Sequence, residues 1–219
     1  MENLNYIIFI CIFVPIMFMA LIVHPKAKPV VIFMMSGIVI CLITSEINAI
    51  LKNALSRDLF YITTSVTPLV EEIFKMIPVL IYAFAYNQKG ERLIACAFAV
   101  GVGFAMYENL IILVGNVESI SITWALMRGF ASSLLHSICT CFIALSLRYF
   151  YSGSENRRKL LLPGIFCFGT ISVTFHATFN VFIQSDRAYI GLCMPLAAYI
   201  IILSALIYLR KKKIEEEKS

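Results

Sequence analysis

Charge is scarce in this sequence: charged residues make up 14% of its 219 residues, against 60% for hydrophobic ones. Together with a mean hydropathy of +0.88, this composition excludes a soluble globular domain of the same length. Long polar stretches are also lacking, because runs of about 20 apolar residues, the length that crosses a bilayer, fill nearly the whole chain. The sequence therefore predicts an all-α integral membrane protein with a single transmembrane domain over residues 1–219.

Several motifs with a defined chemistry are absent. The seven cysteines form no CxxC pair, so the sequence indicates neither a disulfide framework nor a thiolate metal site. HExxH, the helix motif that would favour a zinc site, is missing as well. GxSxG and a pair of aspartates within the apolar runs are also missing, which disfavours serine and aspartyl chemistry. The net charge of +5 comes from basic residues at the ends of the apolar runs, so it does not indicate a nucleic-acid partner.

The apolar runs are separated by short polar breaks. They predict seven transmembrane helices, at 5–23, 29–51, 62–86, 92–114, 126–150, 160–184 and 189–209. The first run has no basic leader and no small-residue cleavage signature, so we interpret it as a retained span rather than a signal peptide. No internal repeat is present that would favour an inverted-repeat transporter.

Basic residues in the breaks predict how these helices are oriented. If the C-terminus is cytoplasmic, thirteen lysines and arginines lie on the inside, whereas Lys52, Arg57 and Arg187 lie outside. Because cytoplasmic loops carry an excess of lysine and arginine, the expected topology has the N-terminus outside and the C-terminus inside.

Ionisable side chains nevertheless occur inside the predicted helices. In this topology they fall at one level, toward the outer side of four consecutive spans: Glu71, Glu72, Lys75, Glu108, Asn109, His136, His176 and Asn180. A charge near the bilayer centre costs roughly 2.5 to 3.5 kcal/mol on insertion scales, so such a set points to a use. We expect one polar site, while ion pairs that merely hold the helices together are the simpler explanation for any single pair.

Helical spacing adds detail to this site. His176 and Asn180 are four residues apart and share a helix face, and Arg128, Ser132, His136 and Thr140 follow one another at the same four-residue step.

Glu71 and Lys75 are also four residues apart, whereas Glu72 lies one residue further round the helix. The two carboxylates should therefore differ in role, and we predict that Lys75 pairs with the glutamate that is not the catalytic base. Pro68 suits the first turn of a helix that begins near Thr67, with both glutamates then near its positive end.

Two kinds of hydrolysis fit these residues. Two histidines and a glutamate could hold a zinc ion with a fourth position for water, and a second carboxylate would then act as general base. Without a metal, one glutamate could activate water while histidine and asparagine stabilise the oxyanion. The residues alone leave both open.

Four motifs occur in a fixed order over about residues 65–182: EEIFK at 71–75, FAMYEN at 104–109, RGFASSLLH at 128–136 and HATFN at 176–180. Together they resemble the EExxK, FxxxEN, His and HxxxN/D pattern of the PrsW family of intramembrane proteases. That family is distantly similar to the CAAX prenyl proteases and bacteriocin-processing proteins, which have a histidine where this sequence has Glu108.

The resemblance implies site-1 proteolysis in a bacterial plasma membrane. A single-pass anti-sigma factor would be cut near the outer membrane surface, so that later cleavage releases the sigma factor. Carried over residue by residue, the resemblance makes Glu71 and Glu72 the base and its partner, with Lys75 beside them. Glu108, His136 and His176 become the zinc ligands or stabilisers, and Asn180 an oxyanion donor.

Three alternatives stay open. A small proton- or ion-coupled transporter would use the same polar cluster as a relay, but the inner halves of the spans are apolar. A catalytically inactive protein that binds a membrane partner would differ only in an activity test. Hydrolysis of another substrate, such as a prenylated protein or a peptide precursor, is the third.

Overall fold

The computed structural model describes residues 26–55, 57–88, 90–115, 122–151 and 154–216, together with Phe13, Ile16 and His24. Side chains are described except those of 122–127, 203 and 205–216. Apart from Phe13 and Ile16, the first predicted span, 5–23, lies outside these residues.

The described residues form helices and contain no strand. The main helices are α1 (Lys28–Leu55), α3 (Thr67–Ala85), α4 (Glu91–Gly115), α5 (Ile122–Ser146), α7 (Leu161–Ile183) and α8 (Ala188–Glu216). Two short helices, α2 (Leu59–Tyr61) and α6 (Glu155–Lys159), and two π-helical segments, Ile62–Val66 and Leu147–Tyr151, complete the order. Each predicted span from 29 onward therefore coincides with a helix.

Four helical stretches are long and apolar enough to cross a membrane: Lys28–Leu55, Glu91–Gly115, Arg128–Tyr151 and Leu161–Ile183. Helix α3 has 19 residues but three of them are charged, and α8 contributes the shorter apolar stretch Ala188–Ile202. The chain is thus a helical protein that crosses the membrane several times, as the composition predicts.

Helix α5 is at the centre of the bundle. It packs against α3, α4, α7 and α8, and 72% of its apolar window is buried, more than in any other candidate span of the described residues. Its close approach to α4 depends on Gly101, because a Cβ there would overlap the backbone of Ser137. The small residue on α4 therefore brings the backbone of α5 near, and with it His136.

Helix α3 begins at Thr67 with Pro68 in its first turn, as the sequence predicts, but this start is not a free helix end. Residues of α2, the π-helical segment and α3 are continuous, since Tyr61, Val66 and Thr67 all have right-handed helical backbone angles. The true N-cap is Asp58, whose carboxylate accepts a hydrogen bond from the amide of Tyr61. The placement of Glu71 and Glu72 near a positive helix end is therefore wrong, because more than three turns of helix precede them.

Candidate active site

Helix α3 has its polar face inward and its apolar face outward. Glu71, Glu72 and Lys75 are buried, whereas four apolar side chains at four-residue steps are exposed: Leu69, Ile73, Ile77 and Ile81. In water this arrangement would be unfavourable, because it would expose a continuous apolar stripe. It fits a helix that faces lipid on one side and a polar cluster on the other.

Glu72 has polar partners at both of its carboxylate oxygens. Its Oε1 accepts from Lys75 Nζ at 2.6 Å and lies 2.8 Å from Nδ1 of His176. Its Oε2 accepts from the hydroxyl of Ser172 at 2.9 Å. With both oxygens occupied, Glu72 is suited to hold its neighbours in place rather than to accept a proton from water.

Lys75 is fully buried and joins α3 to α5. Besides Glu72, its Nζ lies 3.0 Å from Nδ1 of His136 and 4.7 Å from the centre of the Phe104 ring. The ammonium group therefore has a carboxylate, an imidazole nitrogen and an aromatic face around it, which offsets its removal from water. Since Lys75 pairs with Glu72, the prediction made from spacing points to Glu71 as the carboxylate that acts on water.

Glu108 forms the second polar centre, between α4 and α5. Its Oε2 lies 3.3 Å from the Arg128 guanidinium, 3.1 Å from the Ser132 hydroxyl and 3.2 Å from Nε2 of His136. Arg128, Ser132 and His136, which follow one another at four-residue steps along α5, thus contact one carboxylate. The side chain of Glu108 is 22% exposed, more than Glu71 or Glu72.

Each histidine has a carboxylate at one ring nitrogen. Glu72 faces Nδ1 of His176, and Glu108 faces Nε2 of His136. When a carboxylate accepts a proton from one nitrogen of a neutral imidazole, the other nitrogen carries a lone pair. This leaves Nε2 of His176 and Nδ1 of His136 as acceptors or ligands, and the latter faces Lys75.

Glu71 differs from the other two carboxylates in its hydrogen bonding. Its Oε2 is buried and has no hydrogen-bond partner among the described residues. The nearest basic atom is Nε2 of His176, at 3.8 Å. That distance is too long for a direct hydrogen bond, and two acceptor atoms face one another across it. A proton donor or a cation between them would satisfy both.

Glu71, His136 and His176 could hold a metal ion together, because one ligand atom of each lies within 4.8 Å of the others. The donor set, two imidazoles and a carboxylate, is that of catalytic zinc sites, and the unpartnered Oε2 of Glu71 suits a cation. Glu72 and Glu108 each lie at one ring nitrogen of a histidine. In metal sites, carboxylates in that position commonly orient the imidazoles that bind the metal. To act as a ligand, His136 would have to lose either the contact of its Nδ1 with Lys75 or that of its Nε2 with Glu108.

The predicted site residues are thus brought together, with two exceptions. Glu108, predicted as a ligand, is not in the group of three and lies behind His136. The Asn180 amide donates to the backbone carbonyl of Thr63 at 2.9 Å. Ser172 was missed by our reading of the sequence. Its position four residues before His176 was the available signal, since both then share a helix face.

A helical membrane protein with buried glutamates and histidines that can hold a metal ion has the architecture of an intramembrane metallohydrolase. The comparison with known families agrees: the model of the PrsW family intramembrane metalloproteases matches residues 24–208. The chain therefore belongs to the PrsW family and is a membrane-embedded peptidase, which confirms the resemblance seen in the four motifs. No curated protein and no solved structure matches it.

Proposed function

We propose that this peptidase makes the first cut in a single-pass anti-sigma factor, near the outer surface of a bacterial plasma membrane, and so leads to release of a sigma factor. The distribution of lysine and arginine supports a cytoplasmic C-terminus, and in that orientation the buried cluster lies in the outer half of the bundle. A cut at that depth would fall near the extracytoplasmic end of a substrate helix.

The observation that carries the proposal is the unpartnered Oε2 of Glu71 facing Nε2 of His176. In this proposal Glu71, His136 and His176 would hold a zinc ion, which would supply the Lewis acid that makes water a nucleophile at neutral pH. The polar cluster contains three carboxylates and two cations, of which Glu71, Glu72 and Lys75 are buried, so a further positive charge is favourable there.

Glu72 and Glu108 orient the two histidines in this proposal, because each carboxylate faces the ring nitrogen that would not bind the metal. Neither is suited to accept the proton of the attacking water: both oxygens of Glu72 are occupied, and Glu108 lies on the far side of the His136 ring, beside the Arg128 guanidinium.

The experiment is membrane proteomics on cells that express the wild type or the Glu71→Ala/Glu72→Ala variant at equal levels. Single-pass proteins are scored for new truncated extracytoplasmic ends, under several envelope stresses. Glu46→Gln is the matched control, because Glu46 is a glutamate of the exposed surface of α1. A truncated anti-sigma factor in the wild type and the control, but not in the double variant, supports the proposal. Equal patterns in all three strains contradict it.

A further inference from the structure

Pro68 creates a defect in the helix that carries the two glutamates. Within the π-helical segment the amide of Thr67 donates to the carbonyl of Ile62, five residues back. In the same register the carbonyl of Thr63 would receive the amide of residue 68. That residue is proline, which has no N–H, so this carbonyl is left without its backbone donor.

A side chain of α7 fills this gap. The Asn180 amide donates to the Thr63 carbonyl at 2.9 Å, in a partly buried position. The same two turns of helix are joined again through Gln184, whose Oε1 accepts from the Thr63 hydroxyl and whose Nε2 donates to the carbonyl of Asn180. A partly buried carbonyl without a donor loses the water that it would bind at the surface, so the side-chain donor stabilises this contact between α3 and α7.

We propose that Asn180 is a positioning residue of the peptidase: it satisfies the carbonyl that Pro68 leaves without a backbone donor, and so sets α3 against α7. This inference rests on the proposed function, because the residues positioned are Glu71 and Glu72. His176 lies one turn before Asn180 on the same face of α7. One helix therefore provides both the histidine that faces Glu71 and the bond that fixes the helix of Glu71.

The proposal differs from an oxyanion role in what it predicts for Pro68. If Asn180 contacts the substrate, its loss is not compensated by any change in α3. If the role of Asn180 is to donate to the Thr63 carbonyl, Pro68→Ala makes Asn180 dispensable. If the variant keeps the π-helical hydrogen bonds, the new amide of residue 68 donates to the Thr63 carbonyl, five residues back. If the segment becomes α-helical, the amide of Thr67 donates to it, four residues back.

The test compares Asn180→Ala, Pro68→Ala and the double variant, as full-length chains in detergent micelles. The substrate is the one found by proteomics, and kcat is measured per folded chain. We expect Asn180→Ala to lower kcat at least tenfold and Pro68→Ala to stay within about threefold of wild type. The double variant should return to within about threefold of Pro68→Ala. Pro78→Ala, which changes the other proline of α3, is the control and should not rescue Asn180→Ala.

Thermal unfolding gives a second readout that needs no substrate. Asn180→Ala should lower the midpoint by about 2 to 4 °C, and Pro68→Ala should remove that difference. If Asn180→Ala gives too little folded protein, Asn180→Leu keeps the volume and loses the donor, and recovery of folded protein by Pro68→Ala becomes the measure. The proposal is overturned if the double variant stays as slow as Asn180→Ala, or if Asn180→Ala unfolds like the wild type. A wild type that cleaves nothing defeats the proposed function instead, while the unfolding data still decide the Asn180–Pro68 coupling.

Discussion

Lys75 and His176 share one oxygen of Glu72: Nζ of Lys75 lies 2.6 Å from Oε1, and Nδ1 of His176 lies 2.8 Å from it. A single carboxylate oxygen thus neutralises a buried cation and selects the tautomer of a histidine. The two adjacent glutamates therefore differ in their hydrogen bonding. Both oxygens of Glu72 are occupied, whereas Oε2 of Glu71, one residue earlier, has no hydrogen-bond partner among the described residues.

The first prediction concerns this buried ion pair. Glu72→Gln or Lys75→Met alone should lower the free energy of unfolding by about 3 to 5 kcal/mol, because each leaves a charge or its partner uncompensated in a buried place. The double variant should lose less than the sum of the two single effects. Equilibrium unfolding in detergent micelles measures all three against Glu46→Gln. Strict additivity would mean that the pair does not act as a unit.

The second prediction separates the roles of Glu71 and Glu108. Glu71→Gln should lose both bound zinc and cleavage, since it removes a ligand. Glu108→Gln should still bind zinc when zinc is in excess, but cleave about 10- to 100-fold more slowly, because His136 loses the carboxylate that orients its ring. Metal content per chain and cleavage rate are measured on the same purified samples.

Chelation provides the control for that comparison. A zinc chelator should abolish cleavage by the wild type, and added zinc should restore it. Full activity in a wild type stripped of metal would leave Glu71 as a base that acts on water directly, and the metal-dependent part of the proposal would be wrong.

How far the sequence predicts this site can be followed through single residues. The i,i+4 rule and the polar depth brought Glu71, Glu72, Lys75, His136 and His176 to one place, because helical spacing and the scarcity of charge in lipid are local properties that a sequence displays. The π-helical segment was missed, since Pro68 in a first turn and Pro68 within a continuous helix look alike in sequence. The position of Glu108 behind His136 depends on how α4 packs on α5, which no local pattern reveals.

The third prediction concerns topology. A fluorescent protein fused after Ser219 should be bright, and alkaline phosphatase fused at the same point should be inactive, because the basic breaks predict a cytoplasmic C-terminus. Alkaline phosphatase fused after Arg57, in the break between α1 and α2, should be active, because this break is predicted to lie outside. The reverse pattern would place the polar cluster in the inner half of the membrane and would contradict a cut near the outer surface.

The fourth prediction tests whether the close packing of α4 on α5 sets the position of His136. Gly101→Ala would place a methyl group against the backbone of Ser137, and backbone cannot move aside as a flexible side chain can. The two helices must therefore separate, which should cost roughly 1 to 3 kcal/mol in the free energy of unfolding.

Because His136 is the residue before Ser137, Gly101→Ala should also slow cleavage by an order of magnitude or more, about the cost of a displacement near 1 Å. Gly129→Ala is the matched control on α5, since a Cβ there meets nothing within 4 Å. It should be neutral or slightly stabilising, as alanine is in helices. Equal cleavage rates for the two alanine variants would show that His136 tolerates movement of α5, and the site would then depend on α3 and α7 alone.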